Sequence, residues 1–362
     1  MSLVSVVVPI YNVQDYLEGC LDSLHVQTLG DIEILCVNDG STDGSLAVLQ
    51  MCATRDPRIR IIDKPNGGLS SARNMGIDAA RSPYVCFLDS DDRFAPHACE
   101  EIYRALHEGG ADVFTFAARW TPEDAAPEWM ARALSPRDAV YEGFSPDLLF
   151  RENSRPFAWR TACRTEFLRE RGLRFDESLR FGEDQAFHFA VYPRARKTVL
   201  SSQRLYEYRL DRPGSLMGTI QNDIVAKLDR HLAIVERIAA DWRGGGLLDL
   251  CPAELVSFMV DFVAYDAIKL HDEDYRRIAG GLGDIFRSCW SPDVMRKMNL
   301  EATVADIARA CLETVCPDRV VRSLRCGISS PGTACPPSSS ARFWEDADVE
   351  RVLTFQIPTC GP

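Results

Sequence analysis

The stretch Phe87-Leu88-Asp89-Ser90-Asp91-Asp92 decides how the N-terminal half is read. An apolar run, Tyr84 to Leu88, ends in three carboxylates within four positions. Short apolar runs of this kind mark strands buried on both faces of a parallel sheet. Acids just past the carboxyl end of such a strand lie where open α/β sheets bind ligands. Crowded carboxylates repel one another unless a cation joins them, and hard oxygen donors suit Mg²⁺ or Mn²⁺. The competing reading is an acidic turn capping the next helix, since Asp is common in both places.

Upstream, the same pattern of strand and polar loop recurs. Ser5 to Ile10 is a Val-rich strand ending at Tyr11-Asn12, and Ile32 to Val37 is a second ending in Asn38-Asp39-Gly40-Ser41-Thr42-Asp43-Gly44. Arg58 to Ile62 is a third, and Ala111 to Phe116 follows the acidic stretch. Helical spacing is found from Asp15 to Val26, Ser45 to Thr54 (with Asp43 as its cap), Ser70 to Ala80 and Pro96 to His107. Regular alternation with short connections predicts an α/β fold, a mostly parallel sheet with flanking helices. Right-handed crossovers then put Tyr11, Asp39 and Asp89 along one edge of that sheet. No dinucleotide-type glycine fingerprint follows the first strand, and no Walker phosphate loop occurs.

Downstream, Arg119 to Phe150 is irregular and reads as loops over the sheet. A strand over Phe157 to Cys163 precedes a helix from Thr165 to Arg171 that stops at Gly172. Phe181-Gly182-Glu183-Asp184 opens a helix to Val191; its acids are either dipole and cap residues or a chemical pair. Two strands are predicted over Thr198 to Ser201 and Leu205 to Leu210. Arg209 and Arg212-Pro213-Gly214-Ser215 follow, either donors for phosphate oxygens or a solvated loop. Beyond Ile220 the pattern is helical: Ile224 to Ile238, Ala253 to Leu270, Tyr275 to Cys289 and Val304 to Val315. Cys326 to Ser340 is rich in Pro, Ser and Gly and reads as a linker. The expected division is a nucleotide-binding catalytic domain over 1–218, a helical region over 219–325 and an irregular segment over 326–362.

Composition narrows the function. The 362 residues carry a net charge of −12, which argues against non-specific nucleic-acid binding, since that needs a basic face. A local basic patch touching a membrane surface stays compatible with that charge. No apolar run is long enough to span a bilayer, and no secretory leader pattern opens the sequence. The 13 cysteines are odd in number, form no C-x-x-C pair, and fall partly in strands (Cys36, Cys86). This is the usage of a reducing, cytoplasmic compartment.

Together the motifs resemble those of family 2 glycosyltransferases of the GT-A fold. The resemblance is carried by Val7-Val8-Pro9-Ile10-Tyr11-Asn12, Val37-Asn38-Asp39-Gly40-Ser41-Thr42-Asp43, Ser71-Ala72-Arg73-Asn74-Met75-Gly76, Asp89-Ser90-Asp91, Glu183-Asp184 and Tyr208-Arg209 with Ser215. It covers residues 4–215. It implies a metal-dependent, inverting transfer of one sugar from a nucleoside-diphosphate sugar, UDP-linked by preference, to a hydroxyl of a glycan or lipid-linked acceptor in bacterial surface-polysaccharide synthesis. Pro9, Tyr11 and Asp39 would form the base site, with Arg73 contacting the base or a phosphate. Asp89 and Ser90 would face the ribose and sugar, and Asp91 would ligate Mn²⁺ or Mg²⁺. Arg209 and Ser215 would close over the phosphates. Asp184 would be the general base, supported by Glu183. Asp92 would either back this site or cap the next helix, and Phe157 and Trp159 would either line the acceptor site or pack in the core. The Q/R-x-x-R-W motif of processive synthases is missing, which favours single transfer. The alternatives are transfer to a polyprenyl phosphate, where no base is needed, and a degenerate copy that binds a nucleotide or a partner without turnover.

Overall fold

A computed structural model of the chain describes residues 2–123, 126–210, 223–267 and 270–313. The chain separates into two compact units, residues 1–213 and 214–362.

In the first unit the order is β1 (Val4–Ile10), α1 (Gln14–His25), β2 (Ile32–Asp39), α2 (Ser45–Arg55), β3 (Ile59–Lys64), α3 (Leu69–Ala79) and β4 (Tyr84–Phe87). Then come β5 (Arg93–Phe94), α4 (Ala98–Tyr103), β6 (Val113–Thr121), α5 (Glu128–Ala133), β7 (Ala139–Glu142) and α6 (Pro146–Phe150). The unit ends with β8 (Thr161–Arg164), α7 (Thr165–Glu170), α8 (Glu183–Val191) and β9 (Lys197–Arg209). The nine described strands form one sheet in the order β3-β2-β1-β4-β8-β6-β9-β5, with β7 on β9. Strands β1 to β4 are mutually parallel where they pair, and β6 runs parallel to β9. β8 is antiparallel to both β4 and β6, so the sheet is mixed.

Burial, not local capping, holds the helices. None of α1, α2 and α3 has a side-chain N-cap hydrogen bond, a loss of about 1 kcal/mol each. Against that, Leu17, Leu21 and Leu24 of α1 are all buried, each contributing roughly 1.5–3 kcal/mol. Asp43 bonds the Ser45 amide just inside α2 (2.9 Å) but does not occupy the cap position, which is Gly44.

Three expectations are corrected. The Arg119–Phe150 stretch is not only loops: β6 continues to Thr121, and α5, β7 and α6 lie within it. Edge strand β7 is half exposed, so it lacks the apolar run of a buried strand. The two strands expected after residue 197 are one. Ser201 pairs with Phe116 while Arg204 pairs with Ala117, so Ser202 and Gln203 bulge out. Asp138 accepts from both the amide and hydroxyl of Ser202, and these polar residues mimic a turn in the sequence. The Phe157 strand starts only at Thr161, after a short 3₁₀ turn.

The second unit is helical. It contains α9 (Ile224–Gly244), α10 (Pro252–Met259), α11 (Tyr265–Ala267), α12 (Asp272–Cys289), α13 (Pro292–Lys297) and α14 (Ala302–Glu313). α9 starts at an Asp223 cap and buries Leu228, Ile234, Val235, Ile238 and Trp242. α10 passes through a π turn, Val260–Ala264, into α11. α13 was not legible, being six residues long. The linker and terminal segment expected after residue 326 lie outside the described residues.

Helix α3 lies directly on β1, where a Cβ on Gly76 would stand 2.2 Å from Val7 Cγ1. Gly76→Ala is therefore expected to destabilise the fold by about 1–3 kcal/mol, a fall of roughly 2–4 °C per kcal/mol in thermal midpoint. An unchanged midpoint in calorimetry would show that the helix can shift freely.

Candidate active site

Three polar loops meet at the carboxyl ends of β1, β2 and β4. Pro9 is buried within β1, and the Tyr11 ring just beyond it is 48% exposed. Asn12 ties the first two loops together, its Oδ1 accepting from the Thr42 amide at 2.8 Å. β2 extends two residues further than its apolar run, because Asn38 and Asp39 pair with Asp63 and Lys64 of β3. This register sets Asp39 opposite Lys64. Asp39 Oδ1 accepts from Lys64 Nζ (2.5 Å) and the Gly67 amide (2.9 Å), and Oδ2 from the Gly68 amide (2.7 Å). Gly68 has φ +89, a conformation that glycine adopts without strain. Lys64 escaped notice in the sequence, where it lies two residues past the expected end of the strand at Ile62.

The second cluster centres on Arg73 of α3. Its guanidinium is 1% exposed and bonds three carboxylates. Nη2 donates to Asp89 (2.9 and 3.3 Å), and Nη1 donates to Asp184 (2.8 Å) and Glu183 (3.1 Å). The cation also lies over the Phe175 ring, which stacks on Phe187 at 4.1 Å. Gly182, at φ +76, caps α8 and turns the acidic pair toward the arginine. Sequence spacing set Asp89 and Glu183-Asp184 far apart; the fold joins them through one side chain. Here both terminal nitrogens of Arg73, expected to contact a base or phosphate, bond these carboxylates.

Three acids on one cation leave surplus negative charge, and the protonation states adjust. Burial and the Asp184 charge push Glu183 up to about 7, against the pull of Arg73. Burial also raises Asp184, opposed by Arg73 and by the Ala158 amide, which donates to Asp184 Oδ2 at 3.1 Å. Burial would lower Arg73, but Asp89, Asp184 and Glu183 together raise it.

Past β4, Ser90 is buried and Asp92 is wholly enclosed. Asp92 accepts from Tyr206 Oη (2.6 Å) and the Arg209 amide (2.7 Å), and Tyr206 Oη accepts from the Asp89 amide (3.2 Å). Burial, then the charges of Asp91 and Asp89, push the Asp92 carboxyl well up. Asp92 thus splices the acidic turn to the end of β9 and does not cap the next helix. Arg209 Nε donates to the Asp91 carbonyl at 3.2 Å, and its guanidinium lies over Tyr16. Ser215 and Arg212 lie outside the described residues. Trp159, 2% exposed, stacks on Tyr206 at 4.0 Å and Phe157 stacks on Trp159, so both rings pack in the core. Among the described residues no group of three His, Cys, Asp or Glu side chains is placed to hold a metal. Asp89 is tied to Arg73 through both of its carboxylate oxygens.

Comparison with known proteins fits this arrangement. The family described as Glycosyl transferase family 2 matches residues 5–171. EpsH of Bacillus subtilis (strain 168) is 30% identical over 327 residues, 88% of this chain and 92% of EpsH. The chain belongs to glycosyltransferase family 2. A second relative, the glycosyltransferase EpsJ of the same organism, is 36% identical over 218 residues, 60% of this glycosyltransferase and 63% of EpsJ. The alignment therefore spans under two thirds of EpsJ. Of solved structures, S. aureus TarS 1-349 in complex with UDP-GlcNAc superposes with a TM-score of 0.70 at 21% identity, covering 90% of this chain and 92% of that one. That likeness shows a shared GT-A fold.

The raised Glu183 gives a pH test. Its folded pKa lies above the unfolded value, so its favourable contribution is complete below about 4.5 and is lost as pH rises through about 7. Glu183→Gln is expected to raise the thermal midpoint at pH 8, the gain shrinking between pH 7 and 4.5. A gain that is independent of pH would remove Glu183 as the titrating member.

Proposed function

We propose that this enzyme transfers one sugar from a UDP-sugar to a hydroxyl of a glycan or glycolipid acceptor, inverting the anomeric configuration. The observation that carries the reading is Asp184 held beside Asp89 by Arg73, with burial raising its carboxyl above the usual carboxylate value. Each Asp184 oxygen accepts one bond, from Arg73 or Ala158, and keeps a further lone pair for a hydroxyl proton. Asp184 takes that proton as the hydroxyl attacks from the face opposite the leaving diphosphate. Glu183, whose carboxyl burial and the Asp184 charge push up to about 7, limits the negative charge around it.

Asp39 accepts the base N–H, with Tyr11 and Pro9 beside it. Lys64 and the glycine amides hold the Asp39 carboxylate in place for that bond. Asp89 and Ser90 face the ribose and sugar. Asp91 binds Mn²⁺ or Mg²⁺, an ion commonly held by one or two carboxylates plus substrate phosphates. When bound, the ion neutralises the departing diphosphate. Arg209, beside Asp91, and Ser215 donate to the phosphates.

UDP is favoured because the TarS neighbour was solved with UDP-GlcNAc. No described helix is long and apolar enough to cross a membrane. The described cysteines are all free, which supports a cytoplasmic site of action, with peripheral contact where the acceptor is lipid-linked.

Calorimetric titration of UDP, GDP, CDP and dTDP, each with and without Mn²⁺, tests the donor. UDP alone should bind, more tightly with Mn²⁺, and Asp91→Ala should abolish the metal-dependent part. Equal Mn²⁺ dependence in that variant would exclude Asp91 as ligand, and no binding of UDP by the folded protein would overturn the donor assignment. Asp184→Asn should bind UDP as the parent does, yet lose roughly 10²–10⁴-fold in turnover. Parent-level turnover would remove Asp184 from the role.

A further inference from the structure

Arg160 is 0% exposed, and no carboxylate faces it among the described residues. A buried cation without a counter-charge is costly, so its retained position calls for an explanation. Burial lowers it to about 10, which still leaves it charged at neutral pH. Its bonds all go to one loop: Nε donates to the Pro156 carbonyl (3.2 Å) and Nη2 to the Asn153 carbonyl (2.5 Å), while Nη1 has no partner. The carbonyl between them, on Ser154, accepts from buried Tyr192 Oη at 3.0 Å. Ser154 Oγ in turn donates to the Leu148 carbonyl. Loop 153–158 is thus pinned by enclosed side chains.

The pinned conformation is one that side-chain-bearing residues rarely adopt. Asn153 has φ +53 and Phe157 φ +75. Strain of this kind persists only where the surroundings over-determine it. What the loop delivers is the next amide: Ala158 N–H donates to Asp184 Oδ2. Arg73 restrains the other oxygen of the same carboxylate from the opposite element.

We propose that Arg160 is a positioning residue for Asp184: its guanidinium ties the Asn153 and Pro156 carbonyls so that the Ala158 amide is aimed at the carboxylate. The inference rests on the reading of Asp184 as the base. A planar fork is required because the two carbonyls lie three residues apart, and a lysine offers only a point charge. The amide bond favours ionised Asp184, so releasing it raises the carboxyl's pKa and moves the acid limb of the rate profile to higher pH.

The test uses the full chain labelled with ¹⁵N-alanine, with Ala158→Gly assigning the Ala158 resonance. In the parent, the Ala158 amide proton should shift with pH as Asp184 titrates, and Asp184→Asn should abolish that shift. Arg160→Met should also abolish it, with UDP affinity in Mn²⁺ unchanged. Its kcat for hydrolysis of UDP-N-acetylglucosamine should fall roughly 100-fold, the cost of about 1 Å of misplacement, with KM unmoved. Arg160→Lys should show a smaller loss in the same direction. An Ala158 resonance in folded Arg160→Met that titrates as in the parent overturns the proposal, as does a displaced amide with the parent kcat and pH profile. If Arg160→Met does not fold, Tyr192→Phe removes the bonds of its hydroxyl to the Ser154 carbonyl and the Thr115 hydroxyl while leaving Arg160 in place, and should weaken the Ala158 shift; no change there is equally fatal. Parent-level hydrolysis by Asp184→Asn would instead overturn the base assignment, leaving the amide measurement to judge the positioning.

Discussion

One guanidinium holds this site together. Arg73 joins the acid that follows β4 to the two acids that open α8, and it does so from inside the protein. Taking three carboxylates and one cation out of water is expensive, and their mutual attraction offsets the cost only with tight geometry. Arg73 supplies that geometry with bonds of 2.8–3.3 Å to all three acids, and burial raises the pKa of both Glu183 and Asp184.

Around that hub the supports are graded by element. Arg73 comes from a helix packed so closely on β1 that Gly76 has no room for a methyl group. Asp184 comes from the first turn of a helix whose cap is a left-handed glycine. The acidic turn is fastened to the far end of β9 through Asp92 and Tyr206. Each acid is therefore set by a rigid element and corrected by a neighbouring side chain, the arrangement that keeps catalytic groups within a fraction of an ångström.

Much of this was legible in the sequence. Apolar runs ending in Asp39 and Asp89 announced both the parallel strands and the edge where their acids gather. The acidic pair Glu183-Asp184 was visible at the start of a helix, where dipole and cap roles fitted it as well as a chemical one. Other features carried no local signal. The Ser202-Gln203 bulge reads as a turn because its polar residues point to solvent in either case. Arg73 reads as a substrate contact, since only the fold reveals that its partners are carboxylates 16 and 111 positions away. Arg160 sits in an apolar stretch with nothing to say that it bonds backbone carbonyls.

The pairing of Asp39 with Lys64 has an evolutionary consequence. The two face each other only because β2 and β3 are in one particular parallel register. Strand periodicity is two, so an insertion or deletion of a single residue within β3 would turn the lysine to the other side of the sheet. Length variation among descendants of this sequence should thus avoid β3, even though it is an edge strand with little burial. Insertions should collect instead in the connection after β6, where α5, edge strand β7 and α6 intervene before β8 and none of the paired strand ends lies. Tolerance to change here follows distance from the paired strand ends and not depth in the core.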